Sequence, residues 1–319
     1  MPGAAMKRVA LYCALLAALF ALPLHATETG VGRSITGMQA TSYSGLIPPA
    51  PGLTWQYGYA YYDGSISASK QVPVAGGGSA LGLKAEFQLA TITGLYIWKT
   101  APSSWNFASM MTMPFAYVDA NVNARLGGFS ASKSSHVLGP YDLFFAPVIA
   151  SHHFSQTQHI SFSLYIYAPT GDYKDGRLAN ASLNTWTFSP TIGYTALFDQ
   201  GSLEWSATTA VDFYTKDKAT NYQNGSVYRL DTLLVKRFPT GWGVGAVGGW
   251  IYQLENDTGP TADLLGGFKG HALALGPMVN YLKKWQGGQV EFSLRWLHEF
   301  DVTNRLQGNP AMLSATITL

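Results

Sequence analysis

Apolar side chains occupy every second position over much of this chain, and the pattern is clearest near the carboxyl terminus. Residues 289–301 alternate between apolar and polar types, and residues 313–319 do so again. A period of two places successive side chains on opposite faces of a β-strand. The sequence therefore predicts strands with one apolar and one polar face. Within 289–301 the apolar face consists of Val290, Phe292, Leu294 and Trp296.

The connections between the predicted strands alternate in length. Short turns at one end of the predicted strands and long loops at the other are typical of outer-membrane β-barrels, which have an even number of strands. We predict an all-β fold, a transmembrane antiparallel up-and-down β-barrel of about twelve strands. The short connections fall at 100–103, 155–158, 199–201, 239–241 and 286–288, and the long ones at 63–79, 121–135, 170–183, 215–225, 256–270 and 301–310.

The composition agrees with a membrane barrel. Charged residues make up 12% of the chain, against about 25% in soluble domains. Aromatic residues make up 13%, and most of the tryptophans fall near the ends of predicted strands, as expected for rings at a membrane–water boundary. After the amino terminus, no apolar run approaches the roughly 20 residues that a membrane-spanning helix needs.

The amino terminus has the organisation of a cleaved secretory signal. Lys7 and Arg8 form a basic region, residues 9–22 form an apolar core, and cleavage is expected after Ala26. We divide the chain into a signal peptide at 1–26, an irregular leader at 27–51 and a barrel at 52–319. A path inside the lumen is one option for the leader. An export signal in front of a predicted membrane β-barrel implies the outer membrane of a Gram-negative bacterium.

Charge and cysteine content exclude several functions. Cys13, the only cysteine, lies in the signal, so the exported chain has no disulfide or thiol-based metal site. Removal of Lys7 and Arg8 leaves 18 basic and 18 acidic residues. A balanced charge argues against a nucleic-acid partner, which would need a basic surface. We also expect no cofactor and no metal ion.

Several motifs in the second half of the chain occur together in a known family. The most specific is Ala168-Pro-Thr-Gly-Asp-Tyr173, which is followed by Leu178-Ala-Asn180 and by Asn184-x-Trp186-x-Phe188. With weaker motifs later in the chain, it resembles the outer-membrane family of meta-pathway phenol degradation proteins, from about Pro51 onwards. The resemblance implies a barrel that passes hydrophobic substrates and is often encoded near enzymes of aromatic degradation.

The alternation also places charged residues of both signs on the predicted lumen face. They could form a salt-bridged interior that satisfies buried charge, or a polar constriction that selects permeants. The lumen candidates are Lys84, Glu86, Glu204, Asp212, Arg229, Asp231, Glu291, Arg295 and Glu299. Inward aromatic residues could stack on a hydrophobic cargo or only fill volume; these are Phe144, Tyr165, Tyr167 and Tyr214.

We interpret the chain as a channel for passive uptake of small hydrophobic compounds, with aromatic or phenolic cargo suggested by the resemblance alone. Expected partners are outer-membrane lipid and lipopolysaccharide, the barrel-assembly machinery and the permeant. One alternative is a structural or surface-interaction barrel with a sealed lumen. A distant alternative is a lipolytic enzyme, because His159 and Ser161 share one face of a strand and a nucleophilic serine needs a histidine base. We do not expect an enzyme.

Overall fold

The structure is a computed structural model that describes residues 32–74, 78–126 and 129–318. The predicted signal peptide, residues 1–26, and the first residues of the leader lie outside this part of the chain. Its helices are a 3₁₀ turn at Asp199–Gly201 and a short α-helix at Pro260–Leu264. No helix among the described residues is long and apolar enough to cross a membrane.

Fifteen strand segments form one antiparallel sheet. They are β1 Gly52–Val74, β2 Gly78–Ile97, β3 Trp105–Leu126, β4 Phe129–Pro140, β5 Phe144–His153, β6 Gln158–Tyr167, β7 Thr187–Phe198, β8 Leu203–Tyr214, β9 Val227–Arg237, β10 Trp242–Gln253, β11 His271–Trp285, β12 Gly288–Trp296, β13 His298–Thr303, β14 Gln307–Gly308 and β15 Ala311–Thr318.

The sheet closes on itself as a barrel of twelve strands. The first and last strands pair from Thr54 with Thr318 to Tyr61 with Ala311. Three barrel strands are each built from two segments, β4 with β5, β12 with β13, and β14 with β15, because the second segment continues beside the same neighbouring strand. Closure pairs every strand on both sides and leaves no open edge. The predicted fold class is confirmed.

The barrel has a turn end and a loop end. At the turn end, where β1 begins and β15 stops, the connections are short. At the loop end, two of the six expected long loops are instead extensions of the sheet. The β1–β2 hairpin stays paired to Val74 and Gly78, and the β3–β4 hairpin to Leu126 and Phe129. The polar composition of these two segments predicts loops. Paired strands that extend beyond a membrane need no apolar face, so their composition can be equally polar.

The side chains that face outward form an apolar belt around the barrel. Exposed members include Trp55, Tyr57, Met113, Ile192 and Leu294. Soluble proteins rarely expose so large a continuous apolar surface, whereas lipid solvates one. The alternation predicted from the sequence therefore matches the outer face over most of the wall.

The prediction is wrong for the loop-end half of β2. There Leu83 and Ala85 face the interior and are buried, so the alternating Lys84 and Glu86 face away from the lumen. Lys84 is exposed and lies 3.7 Å from Asp63 on the outer face. Between the apolar belt and the loop end, the outer face of the barrel meets water and the inner face is lined by apolar side chains. The rule that apolar side chains face outward is therefore reversed there.

An arginine in the apolar belt should destabilise the barrel. Ile192 lies near the middle of β7 with its side chain exposed. We predict that Ile192→Arg lowers the free energy of unfolding in lipid vesicles by about 2–4 kcal/mol, the cost of arginine at mid-bilayer depth. Urea titration monitored by tryptophan fluorescence measures it. Leu264→Arg, on the exposed loop-end helix, should change stability little, and equal effects of the two would contradict a lipid-facing belt.

Candidate functional site

Residues 33–48, called the plug here, run through the lumen from the loop end to the turn end. Arg33 contacts Asp142, which lies between β4 and β5 at the loop end. The carbonyl oxygen of Pro48 accepts a hydrogen bond from Asn106 Nδ2 at 3.2 Å, near the start of β3. The chain then leaves the lumen and enters β1 at Gly52. An irregular segment inside a barrel must find partners for its backbone groups, and the wall supplies them.

The plug turns sharply at residues 35–40, where Asp231 of β9 binds its backbone. The carboxylate accepts the N–H groups of Gly37 and Gln39, both at 2.9 Å. From the opposite side, Arg295 Nη2 donates to the carbonyl oxygen of Met38 at 2.9 Å. One anion and one cation of the wall thus hold three consecutive plug residues, and this geometry fixes the turn in the middle of the lumen.

Two close approaches require glycine. Gly37 has φ of +75°, a left-handed conformation that glycine adopts without steric cost, and a Cβ there would lie 2.6 Å from Leu297. On the wall, a Cβ on Gly193 of β7 would lie 2.3 Å from the carbonyl oxygen of Ser44. Both contacts bring the plug backbone directly against the barrel wall.

Nearer the turn end, Glu204 and Arg237 hold the next part of the plug. Glu204 accepts the N–H of Tyr43 at 2.6 Å, and Arg237 Nη2 donates to Ser42 Oγ at 3.0 Å. Arg237 also pairs with Glu204 and, at 3.1 Å, with Glu291. One guanidinium between two carboxylates positions both the wall and the plug.

The carboxylate of Glu299, on β13, joins the plug to the wall near the loop end. It accepts hydrogen bonds from Thr36 Oγ1 and Tyr62 hydroxyl, both at 2.8 Å, and from the N–H of Gly308 at 2.9 Å. Every one of these groups is buried. Because a buried carboxylate is costly without donors, this cluster depends on the plug being in place.

A second buried ion pair lies on the wall itself. Arg229 and Asp212 form a bidentate pair with both N–O distances at 2.8 Å, and Ser189 bonds both side chains. Burial of such a pair is near neutral for stability, but removal of one partner typically costs about 3–5 kcal/mol. This part of the lumen is therefore a satisfied charge network that leaves no free carboxylate for a permeant.

An apolar cavity lies between the plug and the wall at the loop end. Its empty volume, which includes space open to solvent, is about 550 Å³. Phe87 and Tyr141 meet edge to face there with ring centroids 5.8 Å apart. The lining residues are Gly32, Arg33, Ile35, Met38, Tyr62, Ala85, Phe87, Leu89, Val118, Tyr141, Asn180, Leu183 and Leu306.

The polar groups at the cavity already have partners. The Arg33 guanidinium pairs with Asp142 and donates to Thr187 Oγ1 at 3.0 Å. Tyr62 is bonded to Glu299 and to the carbonyl oxygen of Leu306. A ligand in the cavity would meet apolar surface and no unneutralised charge from these two side chains.

Comparison with known proteins identifies the family. Residues 69–315 match the family described as "Putative MetA-pathway of phenol degradation". The chain belongs to this family. The resemblance seen in the sequence motifs is confirmed. No curated protein sequence matches the chain.

One solved structure shows the same fold, and two others are similar to a lower degree. The COG4313 outer membrane channel from Pseudomonas putida F1 aligns with a TM-score of 0.66 over 86% of this chain and 98% of its own, at 12% identity. A Pseudomonas aeruginosa FadL homologue aligns with a TM-score of 0.45 and 11% identity, covering 93% of this chain and 97% of its own. The beta domain of the Bordetella autotransporter Brka aligns with a TM-score of 0.47 and 11% identity, covering 84% and 100%.

The specific motif of the phenol degradation family forms the loop between β6 and β7, residues 168–186. Asp142 organises this loop, because its carboxylate accepts the N–H groups of Gly171 and Leu183 at 2.9 and 3.1 Å and Ser182 Oγ at 2.6 Å. Since Asp142 also binds Arg33, one buried carboxylate holds the loop and the plug together. Leu183 of this loop lines the cavity.

Side chains of the motif form hydrogen bonds and an ion pair within the loop. Asn180 Oδ1 accepts the N–H of Lys174 and Arg177 Nε, each at 2.9 Å. Arg177 also pairs with Asp172 at 3.1 Å. The motif thus builds a compact loop that folds over the cavity rather than a set of reactive groups.

The loop between β10 and β11 is also organised by a carboxylate, that of Asp257. It accepts hydrogen bonds from Tyr222 hydroxyl, from the N–H of Gly225 at 2.9 Å and from Gln253 Nε2 at 2.6 Å. Burial raises the pKa of the Asp257 carboxyl, and the three hydrogen bonds oppose that shift because they favour the ionised form. Two loop-end connections are therefore ordered by internal acceptors.

The structure places most lumen candidates inside the barrel. Seven of the nine face the interior, where they contact the plug, one another or Arg237: Glu204, Asp212, Arg229, Asp231, Glu291, Arg295 and Glu299. Lys84 and Glu86 do not, as described above. Sequence reasoning missed the plug residues themselves, and it missed Asp142, whose only signal was an acidic residue two positions after a Gly-Pro strand break.

The four aromatic cargo candidates lie inside the barrel, where they pack against other side chains. Phe144 stacks on Tyr167 with centroids 5.0 Å apart. Tyr165 packs against a core cluster near the turn end, and Tyr214 is buried in another. None is among the residues that line the cavity. The aromatic residues that do line it, Tyr62, Phe87 and Tyr141, were not among the candidates.

The structure does not assemble a serine nucleophile. Ser161 Oγ donates to the carbonyl oxygen of Ser44 at 2.8 Å, so it binds the plug. His159 instead has its Nδ1 2.7 Å from His153 Nδ1. The hypothesis of a His159–Ser161 catalytic pair is therefore wrong. Within the described ranges there is also no cluster of three or more His, Cys, Asp or Glu side chains that could hold a metal ion.

Removal of the Asp231 carboxylate should loosen the plug turn. Asp231→Ala leaves the N–H groups of Gly37 and Gln39 without their acceptor, at a cost of about 1–3 kcal/mol for each. We predict that these two amides exchange hydrogen at least tenfold faster, as measured by mass spectrometry. Amides of β7 should be unchanged. Asp199→Ala, which removes an exposed carboxylate paired with Lys236, is the control; equal protection in both variants would contradict the anchor.

Proposed function

We propose that this protein is an outer-membrane channel for passive uptake of small hydrophobic compounds. The observation that carries the proposal is the apolar cavity, which opens at the loop end between the plug and strands β1–β3. A site with this apolar lining suits small molecules that gain free energy by leaving water. The family and the fold similarity to an outer-membrane channel support the location.

In this proposal the loop end faces the cell exterior and the turn end the periplasm, as in other barrels with short periplasmic turns. A compound would enter beneath the 168–186 loop and partition into the cavity. Neutralised charge around the cavity favours uncharged compounds. The family description connects such compounds with phenol degradation, so we propose small aromatic and phenolic molecules as the cargo.

The exterior of the barrel determines its other partners. The apolar belt would contact outer-membrane lipid, and the loop end would meet lipopolysaccharide. We also propose export by the signal peptide and insertion by the barrel-assembly machinery, which every barrel of this kind requires.

A sealed structural barrel is the competing function, because the plug occupies much of the lumen. The two functions differ in flux. A channel should pass ions in planar bilayers and admit uncharged aromatic compounds into proteoliposomes, whereas a sealed barrel should do neither. A folded protein that shows neither activity would contradict the proposal.

Filling the cavity should block uptake. Ala85 lines the cavity on β2, and Ala90 on the same strand faces outward and is exposed. We predict that Ala85→Trp lowers the rate of phenol uptake into proteoliposomes at least fivefold, because the indole occupies the space that the permeant needs. Ala90→Trp should leave it unchanged.

A second variant protects this test against misfolding of Ala85→Trp. Phe87→Ala enlarges the same cavity and should raise uptake of larger aromatic compounds. Both folded variants can be verified by their heat-dependent shift in gel mobility. If neither changes uptake, the cavity is not on the path of the permeant.

A further inference from the structure

The inner wall is covered unevenly in the turn-end half of the barrel. Inward side chains on β5–β9 are buried there because the plug lies against them, for example Ser161, Thr195 and Ser206. Inward side chains on β15 and β1 are only partly buried at the same depth, for example Gln56, Ser314 and Thr316, whereas Thr93 of β2 and Ser293 of β12 are buried. The plug therefore lies to one side and leaves a second sector of the wall uncovered.

This uncovered sector is lined by small polar side chains. Thr54 and Thr318 face each other across β1 and β15 with Oγ1 atoms 3.4 Å apart, and Gln56 Nε2 donates to Thr316 Oγ1 at 3.3 Å. Gly58 follows on β1, and the Thr91 side chain packs against it: a Cβ on Gly58 would lie 2.5 Å from Thr91 Oγ1. Hydroxyl and amide groups at regular spacing offer hydrogen bonds to a moving molecule without holding it tightly.

The uncovered sector continues from the apolar cavity on the same two strands. Tyr62 of β1 and Leu89 of β2 line the cavity. Toward the turn end, the next inward positions are Ala60, which is buried, and then Gly58 on β1 and Thr91 on β2, which are partly buried. A molecule that leaves the cavity along β1 and β2 therefore moves from apolar surface to hydroxyl-lined surface.

Charge at this sector disfavours anions. The partly buried carboxylate of Glu291 borders it on β12, paired with Arg237, which is shared with the buried Glu204. Two carboxylates around one guanidinium leave a net negative charge. Arg295, further along β12, is engaged by the Met38 carbonyl oxygen at 2.9 Å and by Met312 Sδ at 3.1 Å.

We propose that permeants cross the turn-end half of the barrel between the plug and the wall of β15 and β1, without displacement of the plug. This inference rests on the proposed channel function and deepens it. The preferred permeant is a small uncharged molecule with an apolar body and one or more hydrogen-bonding groups. The apolar body is desolvated in the cavity, and the hydrogen-bonding groups exchange partners along the threonine hydroxyls.

Cysteine accessibility tests this path with matched substitutions. In a Cys13→Ser background, Ser314→Cys and Thr316→Cys place thiols in the uncovered sector, and Ser206→Cys and Thr195→Cys place them behind the plug. The probe is a small cationic methanethiosulfonate reagent added to the folded protein in planar bilayers. Modification is quantified by mass spectrometry and conductance is recorded on the same preparation.

The proposal expects at least tenfold faster modification at 314 and 316 than at 206 and 195, with a fall in conductance after each modification in the uncovered sector. Equal modification in both sectors, or modification at 314 and 316 without any change in conductance, would overturn it. The unmodified protein separates the two proposals: if it conducts no ions and takes up no phenol, the channel function itself has failed.

Discussion

Carboxylates on the inner wall of the barrel determine where the plug lies, and the rest of the lumen depends on that position. Asp231 and Glu204 accept backbone N–H groups of the plug, and Glu299 accepts the Thr36 hydroxyl. An irregular chain inside a barrel has no ladder partners, so its amides need such acceptors. The carboxylates in turn need donors. Plug and wall are therefore mutually dependent, and neither arrangement is favourable without the other.

The barrel itself could be predicted from the sequence because its physical cause is local. The alternation of apolar and polar residues reflects two solvents on the two faces of each strand, and it appears within any ten-residue segment. The same rule failed on β2, where Lys84 and Glu86 face outward. There the strand has passed the apolar belt, and no local signal marks the depth at which lipid gives way to water.

The site was only partly predictable, because its contacts join residues far apart in sequence. The alternation along the strands predicted that Asp231 and Arg295 face inward. It gave no sign that both form hydrogen bonds with the backbone of the plug turn around Met38. Asp142 joins the plug to the 168–186 loop. The residues near Asp142 in the sequence do not indicate either contact. Aromatic character alone was a poor guide as well, since Tyr167 packs against Phe144 and does not line the cavity.

The central claim is that the cavity between the plug and strands β1–β3 receives a small uncharged aromatic molecule. Crystallography of the protein soaked with an iodinated phenol tests it most directly, because iodine is located by anomalous scattering. We predict an anomalous peak between Met38 and Phe87, with the plug still bound to Asp231. An ordered iodine only on the outer apolar belt, with none in the cavity, would contradict the claim.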